Sequence, residues 1–90
     1  MYNFYDIYSS LEELYNSFFR GNELEFVYND KKYYILPCYG INETVVGVCI
    51  GESGMNENTC FSHTELSNYR IEKVKFGDIL SDIRIIWFNF

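Results

Sequence analysis

Residues 10–36 read SLEELYNSFFRGNELEFVYNDKKYYIL, a helix signature running straight into a hairpin signature. Ser10-Leu11-Glu12-Glu13 has the spacing of a capping box, in which the Ser10 hydroxyl accepts the Glu13 amide and the Glu13 carboxylate reaches back. Leu11, Leu14, Tyr15, Phe18 and Phe19 then repeat at helical spacing and make one apolar stripe. The helix is predicted from about Ser10 to Arg20, with Gly21 placed to end it in the left-handed conformation. From Glu23 to Tyr28 the period changes to two: Leu24, Phe26 and Tyr28 face one way, and Glu23, Glu25 and Val27 the other. Asn29 and Asp30 tolerate positive φ, and Lys31-Lys32 leads into a second apolar run, so the segment reads as a β-hairpin.

Downstream, Pro37 donates no ladder hydrogen bond and belongs at a sheet edge, a bulge or a strand end. Gly40-Ile41-Asn42-Glu43 forms a turn, and Thr44 to Ile50 is a third, β-branched strand. Residues 51–59, GESGMNENT, are the one Gly/Asn-rich polar stretch and the candidate mobile loop. Ser62-His63-Thr64-Glu65 is a second capping box, with Phe61 and Leu66 at the positions of a hydrophobic staple, opening a short helix that ends near Tyr69. Val74 and Phe76 flank a turn, Asp78 is placed to cap a helical turn through Ile83, and Arg84 to Phe88 reads as a last strand buried on both faces. The likeness of Ser10-x-x-Glu13-Leu14-x-Asn16 to Ser62-x-x-Glu65-Leu66-x-Asn68 follows from shared helix-start chemistry rather than duplication. The expected fold is one α+β domain spanning residues 1–90. It has an N-terminal helix, a mostly antiparallel sheet of about four strands, and one or two short C-terminal helices.

Eighteen of the 90 residues are aromatic, enough to give so short a chain a core without disulfides or a metal. The net charge is −6, and residues 1–30 carry six acids against Arg20 alone. Such a surface repels phosphate backbones, so direct nucleic-acid binding is disfavoured, while a basic protein partner is compatible. The N-terminus MYNFYDIY lacks a basic segment followed by a long apolar run, so neither secretion nor membrane insertion is expected. Cys38, Cys49 and Cys60 are odd in number and scattered in sequence, which points to reduced thiols in the cytoplasm. There the sequon Asn42-Glu43-Thr44 has no consequence.

Reactive constellations are sparse. Cys38, Cys49, Cys60 and His63 offer four zinc ligands, but only Cys60-x2-His63 has close-pair spacing, and the strand cysteines read as small hydrophobes. His63 next to Ser62 is poorly placed as a base, a Cys60–His63 pair lacks an orienting third group, and His63 reads as a solvated first-turn residue. The carboxylate pairs Glu12/Glu13 and Glu23/Glu25 sit where solvent is the default, and no phosphate loop or dinucleotide pattern occurs. The chain is therefore expected not to be an enzyme, with no catalytic residue, no metal and no cofactor. Tyr28, Tyr33, Tyr34 and Tyr39 gather on the hairpin, and the half that alternation turns outward is the candidate contact surface.

SLEELYNSFFRGNELEFVYNDKKYYI and FSHTELSNYRIEKVKFGDILSDIRIIW together resemble small uncharacterised proteins of Firmicutes and their prophages. The absence of Ala and Gln beside nine Asn and nine Ile fits an AT-rich genome of that kind. Such proteins include anti-CRISPR and other counter-defence proteins. The resemblance implies a non-enzymatic phage or mobile-element protein, acting in the cytoplasm of the bacterial host. It would inhibit a host defence component, such as a CRISPR effector, by direct binding. Glu12, Glu13, Glu23, Glu25 and Asp30 would serve electrostatic approach to a basic, nucleic-acid-binding effector, with Tyr28, Tyr33 and Tyr34 as anchors. One alternative is a homo-oligomer sequestering a small nucleotide-like signal through aromatic stacking, with Arg70, Lys73, Lys75 and Arg84 on its phosphates. Another is a small regulatory or structural domain. In a homo-oligomer the apolar end IRIIWFNF would pair at a sheet edge between subunits.

Overall fold

The computed structural model describes residues 1–54 and 59–89. Among the described residues, a five-stranded antiparallel sheet carries its helices on one face and leaves the other open. The strands are β1 (Tyr2–Asn3), β2 (Glu23–Tyr28), β3 (Lys31–Tyr39), β4 (Val45–Glu52) and β7 (Arg84–Asn89), in the order β1-β7-β2-β3-β4. A separate two-residue hairpin, β5 (Arg70–Ile71) and β6 (Val74–Lys75), lies between the helical layer and the return into β7. The helices are α1 (Phe4–Ile7), α2 (Leu11–Phe18) and α3 (His63–Asn68).

Helix α2 forms as its stripe predicts. Leu11, Leu14 and Phe18 are buried, and Ser10 accepts the Glu13 amide at 3.1 Å. The return arm of the box differs: the Glu13 carboxylate bonds the backbone and hydroxyl of Ser9 instead of the Ser10 amide. The helix also stops at Phe18, so Phe19 becomes the cap and its ring lies exposed against Tyr15 rather than in the core. Gly21 follows at φ +85 as expected. The second box closes on both arms at Ser62 and Glu65, with Leu66 fully buried behind it. Helix α1 and strand β1, which the sequence reading left without structure, form around a box at Asn3 and Asp6 and bury Phe4.

The first hairpin turns on Asn29 (φ 50) and Asp30 (φ 64), both left-handed, as a two-residue turn demands. Strand β3 runs on through Pro37. Its pairing with β2 stops at Ile35, so at Pro37 only β4 flanks the strand and no second ladder calls for the missing N–H. A bulge at Cys38/Tyr39 follows. Strand β4 continues through Gly51 and Glu52, which removes those two residues from the expected loop; residues 55–58 of that stretch lie outside the described residues. Asp78 does not cap the turn after it. It ends a 3-10 turn at Phe76–Asp78, and Ile79 precedes the next at Leu80–Asp82.

The inner face of the sheet meets the helical layer in one core, in which Phe4, Leu14, Phe18, Leu24, Phe26, Ile35, Val48, Ile50, Leu66, Phe76, Ile83 and Ile85 are sealed from solvent. Phe26 stacks on Tyr33 at 5.3 Å and meets Phe76 at 5.5 Å between ring centroids, joining β2, β3 and the helical layer at one point.

The tips of the two hairpins are tied together. Glu72 and Lys73 turn the β5–β6 hairpin at φ 50 and 74, and the Glu72 carboxylate accepts the Asn29 amide at 2.7 Å and pairs with Lys31 at 3.4 Å. The Asn29 hydrogen bond, aided by Lys31, holds Glu72 below the usual carboxylate range. A carboxylate with a depressed native pKa stabilises the fold above its unfolded value of about 4.3, and that contribution disappears as pH falls through the native value. Asn29→Gly keeps the left-handed turn and removes the donor, so it should move the Glu72 titration upward and flatten the acid side of the stability curve. Carboxyl NMR titration with urea midpoints from pH 7 to 3 reads both; an unmoved Glu72 would disprove the tie.

Candidate functional site

Strand register builds a surface on the open face. Residues opposite one another in an antiparallel ladder share a face. Glu25 lies opposite Tyr34 on β3 and opposite Trp87 on β7, and Tyr34 lies opposite Gly51 on β4. The row across four strands is thus Trp87, Glu25, Tyr34, Gly51. One step along, Glu23 and Leu36 occupy the same face, and Leu36 lies opposite Cys49. Trp87 is 46% and Leu36 37% exposed, while Tyr34, Glu23 and Glu25 are half-buried. Glu23, Glu25, Tyr34, Leu36 and Trp87, with Leu24 and the Ser53–Gly54 turn, line a concavity of about 330 Å³ that carries two carboxylates.

Only part of the predicted contact set meets here. Glu23, Glu25 and Tyr34 do. Tyr33 does not: it is 5% exposed and stacked on Phe26, a core ring instead of an anchor, and burial pushes its phenol pKa up. Tyr28, on the same side of β2 as Leu24 and Phe26, is half-buried and packed against the core. Glu12 and Glu13 are exposed in the first turn of α2, in the layer that covers the inner face, and Asp30 is at the hairpin tip. Ser9 holds Glu13 below its ordinary carboxylate range through hydrogen bonds. Trp87 was missed because β7 was read as buried on both faces, and Leu36, on β3, because only the tyrosines of the hairpin counted as contacts. A register shift between Glu25 and Phe26 leaves Ile86 without a partner on β2, so Ile85 faces the core while Trp87, two residues on, faces out. Strict alternation would put Trp87 on the face of Ile85, so no period-two signal in the sequence marked it as outward; the bulge decides it. Nor is β7 a free edge at its start, since Tyr2 and Asn3 pair with Ile85 and Arg84.

Of the cations proposed for a phosphate, Arg70, Lys73 and Lys75 share the β5–β6 hairpin, with Arg70 opposite Lys75, and Arg84 begins β7. Arg70 donates to the Lys73 carbonyl at 2.9 Å and Arg84 to the Ile83 carbonyl at 3.2 Å. A hollow of about 260 Å³ holds Arg70 and Lys31, but Glu52 and Glu72 line it too, so an anion there would meet two carboxylates. Another, of about 400 Å³ between α1 and α2, is lined by Tyr8, Glu13, Ser17, Arg20 and Asn22.

His63 is not the solvated residue expected. Its ring is half-buried edge-on to Tyr15 at 5.6 Å, and Nε2 is sealed from solvent with no hydrogen-bond partner among the described residues. No group of three His, Cys, Asp or Glu among the described residues is arranged to hold a metal ion. The cysteines, scattered in sequence, converge in space: Cys38 Sγ lies 2.8 Å from Cys49 Sγ, and Cys60 Sγ sits over Gly47, the residue opposite Cys38. No described helix is long and apolar enough to cross a membrane. Against protein-family models, curated proteins and solved structures alike, the chain shows no match.

Proposed function

We propose that this chain works by non-catalytic binding, presenting the open sheet face to a basic protein surface. The supporting observation is Trp87, nearly half exposed, in one concavity with Tyr34, Leu36 and the carboxylates of Glu23 and Glu25. Aromatic side chains ringed by charge are what binding hot spots use, because they bury large area at small entropic cost. The carboxylates select a cationic partner and speed its approach. A nucleic-acid-binding effector has such a surface, and the resemblance to phage and prophage proteins favours inhibition of a host defence component, such as a CRISPR effector, in the bacterial cytoplasm.

Affinity capture from a Firmicute host extract, followed by inhibition assays on the captured effector, tests this reading. Reversing Glu23 and Glu25 to Lys should weaken capture at least about tenfold and flatten its salt dependence. Reversing Glu12 and Glu13, which lie in the helical layer, should change capture far less. Equal effects of the two reversals, or none from the first, would remove the sheet face from the reading. Stabilisation by a nucleotide panel in a thermal-shift assay would favour the small-ligand alternative instead.

A further inference from the structure

The three cysteines, at 38, 49 and 60, meet on the open face near the β3–β4 end. Leu36 lies opposite Cys49 and Cys38 opposite Gly47, so Cys38 and Cys49 share that face one diagonal step apart. The bridge of Val48 to Phe61 brings Cys60 alongside β4. Gly47 makes room for it: a β-carbon there would come within 2.8 Å of Cys60 Sγ and 2.7 Å of the Phe61 carbonyl oxygen.

The spacing separates two kinds of thiol chemistry. Two thiolates on one tetrahedral zinc, each about 2.3 Å from the metal, stand roughly 3.8 Å apart. A disulfide holds its sulfurs at about 2.05 Å. The 2.8 Å between Cys38 and Cys49 falls on the disulfide side of that gap, while both cysteines are free. Their exposure also differs: Cys38 and Cys49 are half-buried and Cys60 is exposed. Burial, with hydrogen bonds from Cys49 and Cys60, pushes the Cys38 thiol pKa up, which makes it a slow first nucleophile and leaves that part to Cys60.

We propose that Cys38 and Cys49 are a dithiol that low-molecular-weight disulfides such as glutathione disulfide oxidise to a cross-strand disulfide, with Cys60 as the thiol that reacts first. The Cys60 thiolate attacks one sulfur of the small disulfide and expels one small thiolate. Cys38, opposite the Gly47 over which Cys60 Sγ sits, attacks Cys60 Sγ and expels the second. Cys49 then attacks Cys38 Sγ, forming the Cys38–Cys49 bond and returning Cys60 as a free thiol. Two cysteine thiols lose two electrons and two protons, and the small disulfide takes them up as two thiols. This chemistry is independent of the binding role proposed above, and its test needs no partner.

The whole chain is incubated with glutathione disulfide, alkylated and weighed intact. One alkylatable thiol should remain in place of three. Cleavage after glutamate separates the cysteines, since Glu43 and Glu52 lie between them, and the linked peptides should carry Cys38 and Cys49. Cys60→Ser should give the same bond roughly tenfold more slowly or worse. Three thiols still open to alkylation at equilibrium, or a stable link through Cys60, would overturn the proposal. An unchanged rate in Cys60→Ser would remove the first-attack role.

Discussion

Phe26→Ala is expected to bring the chain close to its unfolding threshold under mild conditions. The Phe26 side chain is wholly buried and stacks on Tyr33 while touching Phe76, so its loss opens a cavity where two strands and the helical layer meet. Truncating a buried Phe costs about 3–5 kcal/mol. A domain of this length has on the order of 5–13 kcal/mol in all, and its small size places it toward the lower end. The midpoint of thermal unfolding should fall by about 20 °C or more, as circular dichroism would read. A fall of only a few degrees would mean that the core closes elsewhere. Phe26→Leu, which refills most of the space, should recover much of the loss.

Trp87→Ala should show the reverse pattern, a fold nearly as stable as the parent with binding lost. Trp87 is 46% exposed on the face that no helix covers, so its removal leaves little of a cavity and should change stability by about 1 kcal/mol or less. Central aromatic residues in binding surfaces carry about 2 kcal/mol or more each, so affinity for the captured partner should drop roughly thirtyfold or beyond. Tyr33→Ala supplies the contrast: with its ring stacked in the core, it should lose stability. Calorimetric titration beside thermal melts separates the two effects. Undiminished affinity in folded Trp87→Ala would show that the open sheet face is not the contact surface.

Much of the architecture was legible because local chemistry agrees with it. The Ser62–Glu65 box, the Asn29–Asp30 turn and Gly21 each satisfy backbone requirements within a few residues, and so can be read from a few letters. Failures came where a residue answers to distant neighbours. Glu72 and Lys73 adopt left-handed turns that their types do not advertise, and Glu72 gains its hydrogen bond and ion pair from Asn29 and Lys31, more than forty positions earlier. Strand β1 and helix α1 are too short to leave a periodic signal, and exist because β7 offers a ladder and the core a place for Phe4.

The candidate surface was half legible for the same reason. Alternation along one strand tells which residues share a face, and Glu23 and Glu25 followed from it. It does not tell which face the helices cover. Alternation alone could not separate Tyr33 from Tyr34; their opposite fates follow from where α2 and α3 pack.

Sequence by itself determined the excess of acid over base, which is composition alone, and the class of fold with the positions of the main helix and central hairpin, since these rest on contacts within one turn or between adjacent strands. Only tertiary structure decided that Trp87 stands beside Glu25 and Tyr34, that Tyr33 is core, and that three cysteines spread over 23 residues meet at one end of the sheet. Strand order and register create those neighbours, and both are set by the whole core closing at once.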